Sequence, residues 1–508
     1  MKIIKIYWQR ANLHLVLDGE IKEDVYLKCK NKIKVDYKDK EVFFNITNTP
    51  EGKPLLSGEY YLLIGDEKVI LDDKVLDYLM DKSRNFYYER GTEVCLVDFN
   101  IDEDRHLIIR IDYFKKNYKY SREGFKKKLI RILKKTFKPV AVFLMNISYH
   151  IVRLFKFNKN NVLFLTENSD KLDGNLKILC DKYKELNEYK IRVYSKDIFH
   201  IRGPIRKLMH FVKVTNRVAL SDIIIVDNYA PTLTLINFSK KIRYVQLWHA
   251  GIGFKSVGYA RFGLDGSPNP FKSSHRKYTD AIVDKENLID IYKEVYGVNK
   301  KIFKSYGMPR LEGYLDKDLI NKTVNKIYSR YGYLKNKRII LFSPTYRGNG
   351  SKDAYYDYSL IDQEKIYEFC EKNDFIFVIK MHPFIKERIN IDNKYSKRIV
   401  DLSKLDINEL IYITDIMITD YSSCAYEYSL FDRPLVFYRF DKSFYEYTRP
   451  MHTVDEFTSK QYEVNDFDSL INVLNKLTNV KIEDRFKNIK NNNDSNSCEK
   501  IIKLLKWN

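Results

Sequence analysis

The sequence predicts an α/β protein: two Rossmann-like domains facing a cleft, with an extra β-rich domain at the N-terminus. Three observations carry that expectation. The chain has 508 residues, too many for one ordinary core, so two or three domains are expected. From residue 158 onward, short continuous apolar runs alternate with helical stretches, as in parallel sheets covered on both faces. After residue 335 that alternation starts again.

Residues 1–115 read as the β-rich accessory domain. The runs "HLVLDG", "KIKVDY", "EVFFNIT", "EYYLLIGDEKVILDD" and "HLIIRIDYF" are separated by Gly, Asp, Asn and Lys, and "GDEK" reads as a hairpin turn. A small sandwich or barrel is expected, without a cluster of acids, bases or nucleophiles.

Residues 116–157 form a basic amphipathic linker. Lys126, Lys127, Lys128, Arg131, Lys134 and Lys135 interleave with Phe125, Leu129, Ile130, Ile132, Leu133 and Phe137, so helical spacing gathers ammonium groups on one side and apolar groups on the other. Pro139 is expected to kink or end the helix. A more apolar stretch follows, broken by Asn146, Ser148 and His150. One reading is an in-plane anchor on an anionic membrane surface; the other is a solvated linker helix packed on a domain.

Residues 158–330 form the first Rossmann-like domain, with strands at "NVLFLTE", "KIRVYS", "DIIIVDN", "RYVQLWH", "DAIVDK" and "KIFKSYG". Residues 331–508 form the second, with strands at "KRIILFSPT", "FIFVIKMHP", "RIVDLS", "DIMITDYSS" and "RPLVFY".

The formal net charge is +21, a surface suited to anions: nucleic acid, acidic lipid or phosphorylated substrates. No recognised nucleic-acid module accompanies the basic run, so nucleic acid is not an expected partner. Six scattered cysteines without CxxC or Cys/His spacing argue against structural zinc and a disulfide framework, and fit a reducing cytosol. The N-terminal residues lack the apolar core of a signal peptide, and no run of about 20 apolar residues suggests a spanning helix.

In open α/β sheets ligands sit beyond the carboxyl ends of the strands. Five strand exits carry polar chemistry: Trp248–His249; "GMPR", with Arg310; "SPTYRG", with Ser343, Thr345 and Arg347; "KMHP", with Lys380 and His382; and "TDYSSCAYE", with Thr419, Asp420, Ser422, Ser423 and Glu427. Singly, each has a plain structural reading: a satisfied histidine, a turn, a helix N-cap. Together they mark one end of a two-domain fold. A helix starting near Ser422 offers free N–H groups and partial positive charge to a phosphate. Glu427, about one turn in, suits ribose hydroxyls or is an ordinary helix-surface carboxylate. Neither a P-loop nor GxGxxG is present.

Residues 160–480 resemble the CDP-glycerol glycerophosphotransferase family, the teichoic acid primases and polymerases of Gram-positive bacteria. Trp248–His249, "GMPR", "SPTYR", "KMHP" and "TDYSS" fall in the family's order. The resemblance implies a GT-B fold, a CDP-polyol donor, and a peripheral location at the cytoplasmic face of the membrane, toward a lipid-linked polyol-phosphate acceptor. It implies His249 as general base and His382 at the donor phosphates. Ser422 and Ser423, with Thr419 nearby, fall beside the pyrophosphate, Glu427 at the ribose, and Arg310 and Arg347 near the donor. Departures fall on the acceptor side: Ala250–Gly251 follows His249 where many members carry Gly-Thr-Pro, and Lys255 stands in for the lysine of a Pro-Leu-Lys run. "YTRPMHTVDEF" replaces an Arg-Gly-Phe-Tyr type segment.

The expected reaction is transfer of a polyol phosphate, foremost glycerol phosphate, from CDP-glycerol or CDP-ribitol to an acceptor hydroxyl, with release of CMP, in cell-surface polymer synthesis. An alcohol needs a base active near neutral pH, the niche of histidine. With no carboxylate pair beyond Asp420, which is expected to cap its own helix, neither a metal nor another cofactor is expected. Two other readings are a GT-B glycosyltransferase using a nucleotide sugar and a non-catalytic basic membrane-docked scaffold. Oligomeric state is left open.

Overall fold

The structure is a computed structural model. It describes residues 1–508 except 90, 116–124, 157–158, 250–256, 265–266, 349–352, 449–457, 459, 487–495 and 507–508, together with the side chains of 125–138, 199 and 446–448.

The β-rich region folds as two sheets, one of five strands and one of seven. Alternating residues along the strands point inward. In Asn12–Leu17, Leu13, Leu15 and Leu17 are buried while His14 and Val16 are half-buried, the period-two pattern of a strand with one face on a core. Both sheets feed one apolar core, from Ile3 and Leu15 to Phe99 and Ile111, so the expected sandwich is found. The expected hairpin turn falls at Gly65–Asp66, where Leu63 pairs with Lys68 and Gly65 adopts φ 60°, a conformation that favours glycine. Phe262, from far along the chain, completes this core by stacking on Phe86 at 5.4 Å.

The linker helix spans Phe125–Leu154 and runs through Pro139, rather than ending there. A proline removes one backbone bond, and the helix beyond it is held by tertiary contacts. Met145 and Tyr149 are buried. Asn146 Nδ2 donates to Leu235 O at 3.1 Å, Ser148 Oγ to Asn216 Oδ1 at 3.0 Å and Arg153 to Ser221 O at 2.7 Å. The polar residues that interrupt the apolar stretch are therefore docking groups. The side chains of Lys126, Lys127, Lys128, Arg131, Lys134 and Lys135 lie outside the described residues.

Two six-stranded parallel sheets follow. The first runs in the order Lys190–Ser195, Asn161–Thr166, Ile223–Val226, Arg243–Gln246, Asp280–Val283, Phe303–Ser305. The second runs Ile399–Asp401, Phe375–Ile379, Arg338–Phe342, Ile416–Thr419, Leu435–Tyr438, Gln461–Val464. Taken in chain order the second is 3-2-1-4-5-6, with its switch of direction between Arg338–Phe342 and Ile416–Thr419, where a doubly wound sheet opens a crevice. The last strand is missing from the sequence-based expectation because Gln461–Val464 is a largely polar edge strand.

Cα packing divides the chain into two compact units. One contains Met1–His249, Ser256–Ser305 and Leu505–Asn508; the other contains Tyr306–Leu504. The change of unit at 305/306 precedes the 330/331 boundary expected from the strand pattern. The helix Lys317–Arg330 packs on Ile407–Ile413, with Lys326 Nζ 2.7 Å from Glu409, and so belongs with the second sheet. The β-rich region shares its unit with the first parallel sheet.

Candidate active site

In the second unit, three neighbouring strands end at Phe342, Ile379 and Thr419. The residues leaving them line a cavity of about 650 Å3 at the switch point. Seven residues singled out in the sequence meet there: Arg310, Ser343, Lys380, His382, Ser422, Ser423 and Glu427. Arg388, Lys404, Asp406 and Asn408 join them.

Glu427 is not an ordinary surface carboxylate. It is buried and ion-paired with Arg310. Lys380 is 6% exposed; its Nζ donates to Met381 O and Ser403 O, each at 3.1 Å. Burial pushes its pKa down, and its ammonium has a third N–H for a ligand oxygen. The His382 ring packs against Tyr346 and Phe384, at centroid distances of 4.7 and 4.8 Å. Its Nδ1 accepts the Phe384 backbone N–H at 3.2 Å. A nitrogen that accepts carries no proton, so the neutral ring holds its proton on Nε2. His382 is thereby set as a hydrogen-bond donor.

Three other expected donor ligands do not line this cavity. Thr419 Oγ1 donates to Ser343 O at 2.7 Å, tying two strand ends together. Thr345 and Arg347 belong to a buried network centred on Asp420. Thr345 N donates to Asp420 at 2.7 Å, and Arg347 pairs with Asp420 at 2.9 Å and Asp441 at 2.7 Å. Burial alone would lower the Arg347 pKa; the two carboxylates outweigh it and raise it above the usual arginine value. Asp420 also accepts from Tyr421 N at 2.5 Å, so it clamps the loop after Phe342 rather than capping its helix. That helix, Cys424–Ser429, has no side-chain cap at Ser423. It is too short for a full macrodipole, which leaves the cationic side chains as the main source of positive charge in the cavity.

In the first unit, Arg243–Gln246 leads to Trp248 and an exposed His249. Trp248 is 8% exposed and adopts φ 56°, a strained conformation for a bulky residue. Its N–H donates to Gln246 Oε1 at 2.8 Å, and its carbonyl accepts from Asn175 Nδ2 at 2.7 Å. His249 Nδ1 lies 3.4 Å from Asp227 O. A carbonyl only accepts, so Nδ1 is the protonated nitrogen, and in the neutral ring Nε2 is the basic one. His249 is thereby set as a proton acceptor. Gly251 and Lys255 lie outside the described residues.

Gln246, Asn175, Asp441 and the cavity residues Arg388, Lys404, Asp406 and Asn408 carry no motif of their own. A buried glutamine in an apolar strand was the one legible signal. A carboxylate–histidine group that could hold a cation, Asp102, Asp104 and His106, sits in the β-rich region, and its Asp102 already binds the His106 backbone N–H and Lys68.

A family model described as CDP-Glycerol:Poly(glycerophosphate) glycerophosphotransferase matches residues 147–505. A teichoic acid poly(ribitol-phosphate) polymerase of Bacillus spizizenii is 34% identical over 300 residues, 59% of this chain and 48% of that protein. The Staphylococcus aureus teichoic acid ribitol-phosphate polymerase TarL is 32% identical over 368 residues, 71% of this chain and 63% of that one. A Bacillus subtilis teichoic acid glycerol-phosphate primase is 28% identical over 315 residues, 58% of this chain and 77% of the primase. The chain thus spans about half to two-thirds of the length of the two polymerases. The wall teichoic acid polymerase TagF has a similar structure, with a TM-score of 0.54 at 15% identity over 75% of this chain and 98% of that one. That likeness is one of fold, and the fold class is the expected GT-B arrangement of two Rossmann-like sheets with an added β-rich region.

Proposed function

Because the chain belongs to the CDP-glycerol:poly(glycerophosphate) glycerophosphotransferase family, we propose that it transfers a polyol phosphate from a CDP-polyol to an acceptor hydroxyl and releases CMP. The acceptor is a lipid-linked or growing polyol-phosphate chain in teichoic acid synthesis. One observation carries this reading: the two candidate imidazoles are held in opposite tautomers. His249 offers a lone pair, as a base for the acceptor alcohol requires. His382 offers an N–H, as a phosphate oxygen gaining charge requires. The cavity supports donor binding: Arg310, Lys380, Arg388 and Lys404 face it as cations and the serines as hydroxyl donors, which suits a diphosphate. The relatives at 32–34% identity are named for ribitol phosphate, so CDP-ribitol is proposed ahead of CDP-glycerol.

No bound metal is proposed, because cationic side chains meet the donor charge and Glu427, one of two carboxylates lining the cavity, is already paired with Arg310. The test is CMP release with CDP-ribitol, CDP-glycerol and nucleotide sugars in separate reactions with a lipid-linked acceptor. Release from a CDP-polyol that survives EDTA is expected; turnover of a nucleotide sugar alone would turn the reading into glycosyl transfer, and no turnover of any donor would favour the scaffold.

Among the described residues no helix is long and apolar enough to cross a membrane. A peripheral site on the cytoplasmic leaflet is proposed from two packed helices that each leave an apolar row exposed. Phe143, Ile147 and Ile151 are exposed along Phe125–Leu154, as are Ile205, Met209 and Val212 along Pro204–Ala219. Arg206, Lys207 and Lys213 are exposed beside them. An apolar stripe flanked by cations suits an anionic lipid surface. Phe143→Glu with Ile205→Glu is expected to release the protein from phosphatidylglycerol vesicles while CDP-polyol binding is unchanged. Undiminished co-sedimentation of that variant would overturn the docking face.

A further inference from the structure

The β-rich region lies outside the family match at residues 147–505, and the proposed chemistry leaves it without a task. We propose that it is a positioning element for His249, acting through the helix Ile289–Tyr296; the assignment rests on His249 being the base.

The strained Trp248 backbone persists only where its neighbours over-determine it. The sheet holds one side, through Gln246 and Asn175. The other side is a wall of two tyrosines. Tyr292 and Tyr296 are one helical turn apart and so share a face. Both are buried, with ring centroids 6.4 and 5.8 Å from that of Trp248. Lys293 and Glu294, between them, face the β-rich region. Arg10, at the tip of the hairpin joining Lys2–Gln9 to Asn12–Leu17, grips Glu294 with two parallel bonds of 3.0 and 2.9 Å. Asn48 Nδ2 donates to Lys293 O at 3.1 Å. Just past the helix, Arg276 is held by the carbonyls of Thr47, Gly52 and Gly297.

The Arg10–Glu294 fork is partly buried, 17% and 10% exposed, and bidentate, the geometry in which an ion pair fixes orientation as well as adding energy. The hairpin therefore presses the helix toward Trp248, and the next residue is His249. When that grip is lost, Trp248 relaxes and the imidazole shifts from its aim. Arg10 and Glu294 are positioning residues, not catalytic ones.

Arg10→Ala is expected to lower kcat for CMP release by about 10-fold, as a misplaced reacting group does, with CDP-polyol KM unchanged; the thermal midpoint falls with the lost ion pair. The charge swap Arg10→Glu with Glu294→Arg restores kcat. Protein labelled with 5-fluorotryptophan reports the same event without catalysis: the Trp248 fluorine resonance moves in Arg10→Ala and returns in the swap. If wild-type protein transfers nothing, the transfer reading fails while the fluorine spectrum still decides the coupling. An unmoved Trp248 resonance, or a kcat loss matched by a loss in donor affinity, overturns the proposal. If Arg10→Ala does not fold, Asn48→Ala, which removes only the bond to Lys293, is read by the same criteria.

Discussion

His249→Ala is expected to lower turnover by about 10²- to 10⁴-fold, the usual worth of a general base, and to leave CDP-polyol binding unchanged. The reason is its division of labour. The donor cavity is built wholly from the second unit, whereas His249 belongs to the first and hangs from Asp227 O by Nδ1. Removing it takes away a proton acceptor without touching a donor ligand. His249→Gln sharpens the test. A carboxamide nitrogen carries hydrogens and no basic lone pair, so glutamine is expected to be as inactive as alanine. Single-turnover CMP release with equilibrium binding of the CDP-polyol separates the two quantities. A glutamine variant with substantial turnover would mean that the residue works by donating, and the base assignment would be lost.

The order of elements was legible because buried parallel strands are continuous apolar runs: Asn161–Thr166 and Phe375–Ile379 are buried throughout. Where a strand is half-exposed, as Gln461–Val464 is, the same signal is absent. The site divided along similar lines. Ser343, His382 and Ser422 lie within three residues of strand ends, so topology carries them to the cavity. Thr345 and Arg347 sit in the same motif as Ser343 but turn inward to Asp420 and Asp441. No sequence rule separates a residue that faces a ligand from one two positions on that braces its loop; the choice is made by two carboxylates that lie 73 to 94 residues away. Arg388 and Lys404 reach the cavity from loops, and Asn408 from the first turn of Ile407–Ile413, along paths that depend on the whole sheet. The helix through Pro139 makes a related point. Propensity argued for a break, and Asn146, Ser148 and Tyr149 docking on the first parallel-sheet domain outweighed it.

His382→Ala is expected to cost about 10²- to 10³-fold in kcat, as loss of one fixed donor to a developing anion does. Here glutamine should behave in the opposite way to its behaviour at position 249. The Phe384 N–H occupies Nδ1, so the working atom is Nε2–H, and a glutamine Nε2 can present an N–H near the same place. His382→Gln is therefore expected to recover part of the activity that His382→Ala loses. Buried Lys380 lines the same cavity, and its charge remains in either variant, so ground-state donor binding should fall less than kcat. The pair of glutamine substitutions thus reads each imidazole's proton directly: no rescue at 249 and rescue at 382 fits the two tautomers. Rescue at 249 with none at 382 would require the acceptor-activating and phosphate-stabilising roles to be exchanged.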